Sequence, residues 1–235
     1  MRSVLLGLWL AGLLTLGAPG GARDGAAGPI LPVAPRVAAQ GLVQHGQLRV
    51  VHAWPGVPFV DVLVDGEPVR GALAYGADGG YEPVAEGTHT VALVTSGAAS
   101  AAPLLSVPVE ITAGGARTLV AHGGPGQALV LDDLALAPVD GPALVRFVHA
   151  APGLPALELA VVAGPRLAGP VEFGAATNYA DVPPSAPSLS AALAADHTTV
   201  ATLPGAVFVA DKSYTIVAID AAGPAPAALL GLVDD

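Results

Sequence analysis

From Leu48 onward the apolar positions fall in short runs separated by Gly, Pro and Asp, and no window keeps the 3.6-residue period of a helix over three turns. The runs predict strands at Leu48–His52, Val60–Val64, Pro68–Leu73, Thr88–Val94, Val107–Ile111, Thr118–His122 and Ala128–Leu136. They recur at Val145–His149, Leu157–Val162, Val171–Phe173, Leu189–Leu193, Ala206–Val209, Tyr214–Ile219 and Ala228–Val233. Asp65-Gly66 directly follows one run and supplies the positive φ angles of a tight hairpin. Gly114-Gly115 predicts a second hairpin, between Val107–Ile111 and Thr118–His122. Seven short strands with turns at roughly ten-residue intervals are the pattern of a β-sandwich.

The two sets of strands are copies. Residues 48–58, LRVVHAWPGVP, return as residues 145–155, VRFVHAAPGLP, with seven of eleven positions identical at a spacing of 97. Tyr75-Gly76 matches Phe173-Gly174, and Tyr81 matches Tyr179, now at a spacing of 98. The fold expected is therefore all-β, two tandem immunoglobulin-like antiparallel β-sandwich domains, over residues 44–138 and 139–235. The junction is Pro138–Pro142, a stiff PVDGP segment.

Residues 1–22 read differently. Met1-Arg2 is followed by an apolar run from Val4 to Leu16 and by the small residues Gly20-Gly21-Ala22, the pattern of a cleaved secretory signal peptide. Thirteen residues at a rise of ~1.5 Å fall short of the ~30 Å apolar core of a bilayer. Residues 23–43, rich in Gly, Ala and Pro, read as a linker. These features predict export to the cell envelope, the periplasm or the medium, with no membrane span in the mature chain.

Charge narrows the partners. The chain carries 9 Lys+Arg against 19 Asp+Glu, a net −10, and its single lysine is Lys212, so the basic footprint that neutralises phosphates is missing and nucleic acid is excluded. With no cysteine there are neither disulfides nor thiolate metal sites.

The ionisable residues shared by both copies are the candidates for chemistry. His52 and His149 occupy one repeat position. Strand alternation puts Leu48, Val50 and His52 on the core face and Arg49 and Val51 on the other. The expectation is a neutral imidazole that closes the end of the core and hydrogen-bonds the following turn; the functional alternative is a metal ligand or general base. Asp61 and Glu158 are matched, nine residues after each histidine; Asp61, between Val60 and Val62, is expected to face solvent, and Arg49 and Arg146 to make surface ion pairs. Asp132-Asp133 and Asp234-Asp235 are expected to be solvated ends rather than a calcium site. His45, His89, His122 and His197 have no counterpart in the other copy; His122 aligns with Ile219. No GxSxG, HExxH or GxxxxGK[ST] motif is present.

The VHAxPGxP start, the VDVLVDG hairpin at Val60–Gly66, Tyr75-Gly76, the EGTHTVAL strand at Glu86–Leu93 and the closing LDD resemble the DUF4397 family. Its members typically read VHASPDAPAVDVYVDG, then FG, a later Tyr, and PAGTYTVEV. The second copy departs from this, with Val162-Ala-Gly164 in place of VDG and Glu158 in place of Asp. The resemblance implies bacterial secreted or envelope-associated proteins with immunoglobulin-like modules, often in tandem, and it implies no activity. The function expected is that of an exported non-catalytic protein with a binding, adhesion or envelope-structural role and a protein or glycan partner at the cell surface. No catalytic, cofactor or metal residue is assigned. The rival is a secreted hydrolase or metal-dependent protein using His52 with Asp61 and His149 with Glu158.

Overall fold

The computed structural model describes residues 43–97, 102–133, 141–221 and 225–234, so the expected signal peptide, the expected linker up to residue 42 and residues 138–140 of the junction lie outside the described residues. The described residues are all-β. The first copy holds β1 (His45–Ala53), β2 (Phe59–Val64), β3 (Glu67–Ala74), β4 (Asp78–Ala85), β5 (Gly87–Thr95), β6 (Leu105–Ile111), β7 (Ala116–His122) and β8 (Ala128–Asp133). The second holds β9 (Ala143–His149), β10 (Leu157–Val161), β11 (Arg166–Val171), β12 (Ala180–Val182), β13 (Leu189–Leu193), β14 (Thr199–Leu203), β15 (Ser213–Asp220) and β16 (Ala227–Val233).

Each copy makes two four-stranded sheets in the same order. The first pairs β4-β1-β7-β8 and β3-β2-β5-β6; the second pairs β12-β9-β15-β16 and β11-β10-β13-β14. Adding eight to each strand number converts one copy into the other. Nearly every pairing is antiparallel, but β1 runs parallel to β7 and β9 parallel to β15, which the hairpin pattern did not predict. The register also preserves the repeat. Arg49 lies beside Thr118 and Val51 beside Val120, as Arg146 lies beside Thr215 and Val148 beside Val217.

The expected hairpin at Asp65-Gly66 forms, with φ of 51° and 88°. The one expected at Gly114-Gly115 does not: β6 pairs β5 in one sheet, while β7 starts in the other. There the chain changes layers, with Gly114 N–H donating to His45 O and Gln47 N–H to Gly115 O. Three strands escaped the apolar pattern, and β11 meets its expected run, Val171–Phe173, only at Val171. β4 reads DGGYEPVA and β14 reads TVATL, too polar or glycine-rich for apolar runs, and β12 has three residues. The run Ala206–Val209 is not a strand; Phe208 makes only an isolated bridge to Ser185.

Alternation along β1 and β9 explains the packing. Leu48 and Val50 point into the first sandwich core, with Trp54, Val62, Leu93 and Leu119; Val145 and Phe147 point into the second. Val51, Ala53, Val120, Val148, Ala150, Val217, Ile219 and Leu232 form a third apolar layer, a seam between the two copies. The outward faces of the two central sheets are therefore covered. Strands buried on both faces read as continuous apolar runs, as VRFVHA does. Taking a large side chain out of water contributes roughly 1.5–3 kcal/mol, so a seam of eight buried residues is a substantial share of the stability of so small a fold.

Candidate functional site

His52 sits at the end of β1, fully buried. Its Nε2 lies 2.8 Å from Val57 O, and Trp54 N–H points at Nδ1 from 3.4 Å. His149 repeats this, with Nε2 3.0 Å from Pro155 O and Ala151 N–H 3.3 Å from Nδ1. A carbonyl on one side and an amide on the other define the tautomer: Nε2–H donates and Nδ1 accepts. Burial, only partly offset by these carbonyls, lowers both pKa values, so both rings are neutral at pH 7. The backbone of each histidine holds the aromatic-Gly turn, through Gly76 N–H to His52 O and Gly174 N–H to His149 O, both 2.8 Å. The positive φ of these glycines, 76° and 77°, explains why glycine stands there in both copies.

Arg49 and Arg146 are not on the surface. Each is at most 3% exposed, because the other copy covers the face that it shares with Val51 or Val148. Arg49 crosses the seam to Asp234 Oδ1 at 2.5 Å and to Val233 O at 2.7 Å, and its Nε donates to Thr118 Oγ1 at 3.0 Å. Arg146 crosses the other way, to Asp133 Oδ1 and to Asp132 O, with Nε donating to Thr215 Oγ1 at 2.7 Å. Thr118 and Tyr81 hydroxyls complete Asp133; Thr215 and Tyr179 hydroxyls complete Asp234. The tyrosine rings also lie under the guanidinium groups, at 4.7 Å for Tyr81 and 4.8 Å for Tyr179.

The seam is thus a pseudo-two-fold constellation in which each copy gives an arginine, a threonine, a tyrosine and an acid. Burial works against the Arg49 charge, but Asp234, Tyr81 and Asp133 outweigh it and raise the pKa. Burial chiefly, with the nearby carboxylates, raises both Tyr81 and Tyr179. The expectation of solvated acidic ends is corrected on the same ground: Asp133 and Asp234 are buried, whereas Asp132 is exposed and pairs with Arg117 at 2.8 Å.

The rival site does not assemble. Asp61, on the outer face of β2, accepts from Ala72 N–H at 2.7 Å, the Ser96 hydroxyl at 2.8 Å and Gly97 N–H at 3.0 Å, and these bonds lower its pKa. It organises a turn and does not orient His52. Glu158 does not pair with His149 either. Its side chain is 9% exposed and is held by His197 Nδ1 at 2.6 Å and Arg166 at 3.3 Å, which lower its pKa. His89 bridges Asp65 and Ala85 O, and the bond to Asp65 raises its pKa. Among the described residues no group of three or more His, Cys, Asp or Glu side chains could hold a metal ion. A groove of about 490 Å³ opens where the copies meet, lined by Leu129, Leu131, Asp132, Asn178 and Tyr179 among others.

Alternation along β1 did reveal that Arg49 and Val51 share a face. The sequence signal that this face is covered was the matched Tyr81/Tyr179 and LDD/LVDD sets, because a lone surface arginine does not recur with the same aromatic and acid in the same order. Residues 46–160 match the family model of DUF4397, a domain of unknown function. These residues belong to the DUF4397 family. The match spans β1 to β10, so it takes in the first copy with its Arg49, Tyr81 and Asp133 and runs on through His149 into the second. No curated protein matches the chain. No helix among the described residues is long and apolar enough to cross a membrane.

Proposed function

We propose that this DUF4397 protein is exported and works without catalysis, as a paired β-sandwich that binds a protein or glycan at the cell surface or serves as a structural part of the envelope. One observation carries the reading: the ionisable residues common to both copies are all engaged in building the fold. His52 and His149 use both ring nitrogens on backbone groups, and Arg49, Arg146, Asp133 and Asp234 neutralise each other across the seam. A catalytic base must present a free nitrogen or oxygen within reach of a proton on the substrate. The signal-like first 22 residues support a location outside the cytoplasm.

The test has two arms. N-terminal sequencing of the protein from fractionated producer cells should find a chain beginning near Arg23 in the exported fraction; a chain beginning at Met1 in the cytosol would overturn the location. The mature chain incubated with isolated envelope should be retained saturably, with no new covalent product by mass spectrometry. A product that disappears with His149→Gln would instead establish the hydrolase.

A further inference from the structure

The two halves of the seam differ at two polar positions: Tyr75, whose hydroxyl donates to Asp220 O at 2.7 Å, stands opposite Phe173 in the repeat, and His122 stands opposite Ile219. At the end of β7 His122 packs edge-on against Phe173, ring centroids 5.2 Å apart, and Gly174 lies so close that a Cβ there would stand 3.1 Å from His122 Cε1. At the matching end of β15 stands Ile219, whose Cδ1 would lie 3.3 Å from a Cβ on Gly76, beside Tyr75. One end of the seam is therefore closed by isoleucine beside Tyr75 and the other by an imidazole against Phe173. The His122 side chain is buried, the residue being 8% exposed, and its Nδ1 has no hydrogen-bond partner.

We infer that the seam is an acid-sensitive latch: a proton taken up at His122 loosens the contact between the two copies at the His122–Phe173 end and leaves each sandwich folded.

Chemistry singles out His122 among the buried histidines. Protonating Nδ1 of His52 or His149 would set N–H against the amide of Trp54 or Ala151 and break a turn. Nδ1 of His122 has no bond to lose. Its cation would nevertheless lie buried beside His149, itself within the field of Glu172 and Asp220, and against the Phe173 ring. Burial, and then His149, lower its pKa. Opening this end admits water to the ring and removes the penalty of burial, so proton uptake and opening are linked. Trp54 Nε1–H donates to His122 O at 2.8 Å and keeps the β7 backbone attached to the first core while the side chain turns outward.

The chain has no cysteine, so a single thiol reports on the seam. Val120→Cys, two residues from His122 and fully buried in the seam, would be labelled by a pyridyl disulfide from pH 7.5 to 5, its rate taken relative to the same thiol in the denatured chain. One titrating group increases opening by up to about tenfold per pH unit below an imidazole pKa of about 6.5, so protection should drop about tenfold or more over this range. With His122→Ile, the residue of the mirror position, and with His122→Gln, it should stay flat. Val91→Cys, in the first core, should stay protected throughout. Flat protection in the parent, an equal drop in both His122 variants, or loss of protection at Val91→Cys in step with Val120→Cys would each overturn the latch.

Discussion

Replacing Arg49 by methionine while leaving Asp234 in place tests the seam where its energetics are sharpest. The pair is buried on both sides, with side-chain exposures of 2% and 0%. Removing the guanidinium takes three protein partners from it: the Asp234 carboxylate, Val233 O and Thr118 Oγ1. Asp234 keeps the hydroxyls of Thr215 and Tyr179 but becomes a buried charge without a counter-charge. Breaking a buried pair in this way costs about 3–5 kcal/mol, whereas a surface pair is worth about 0–1 kcal/mol. Asp234→Asn strands Arg49 and should cost a similar amount, while the double variant Arg49→Met/Asp234→Asn leaves no stranded charge. The sum of the single costs should therefore exceed the double cost by about 2 kcal/mol or more. With a urea slope of about 2 kcal/mol/M, each single change should lower the unfolding midpoint by about 2 M, and the double by distinctly less than the sum. Single costs below about 1 kcal/mol, or additive costs, would show that the arginines behave as surface charges and refute the reasoning.

Other consequences follow from the same geometry. Gly174→Ala combines a φ of 77° with a Cβ contact of 3.1 Å on His122 and should destabilise by about 1 kcal/mol or more, while Gly124→Ala, with nothing within 4 Å, should change the midpoint little. His52→Ala removes two ring-to-backbone bonds and leaves a hole at the end of a core, for a loss of about 2–4 kcal/mol in urea unfolding. Stability should fall on acidification from pH 7.5 to 5.5. His52, His122 and His149 have lowered pKa values, so the unfolded chain takes protons first and the stability present above about pH 6.5 is lost toward their folded pKa values, at up to about 1.4 kcal/mol per pH unit for each. His89, with its raised pKa, acts oppositely, its contribution being full below about pH 6.5 and lost as pH rises through its folded value, but its partner Asp65 is solvent-exposed and the effect is screened. A midpoint that rises in acid would contradict the neutral, buried state of the three rings.

Much of the fold was legible because a strand writes its environment at period two. β1, β2, β5, β7, β9, β10, β13, β15 and β16 all coincide with apolar runs, and the role of His52 followed from its place in the alternation before Pro-Gly. β4 and β12 were illegible for the opposite reason. They are edge strands beside β1 and β9 and need little apolar surface of their own; β4 carries Tyr81, and Tyr179 immediately precedes β12. The seam itself was misread because one strand cannot say whether its second face meets water or another sheet. Arg49 and Arg146 look the same in either case until Asp234 and Asp133, far away in sequence, come into contact with them. Glu158 was missed for a similar reason, since His197 reaches it from a turn 39 residues on.

The claim that the shared residues join two sandwiches into one unit is tested most directly by calorimetry of the mature chain at pH 7.5. A cooperative seam predicts one transition whose calorimetric enthalpy equals its van't Hoff enthalpy. Two transitions, or a calorimetric enthalpy about twice the van't Hoff value, would mean that the copies unfold as independent beads and that the Arg–Asp constellation does not hold them together.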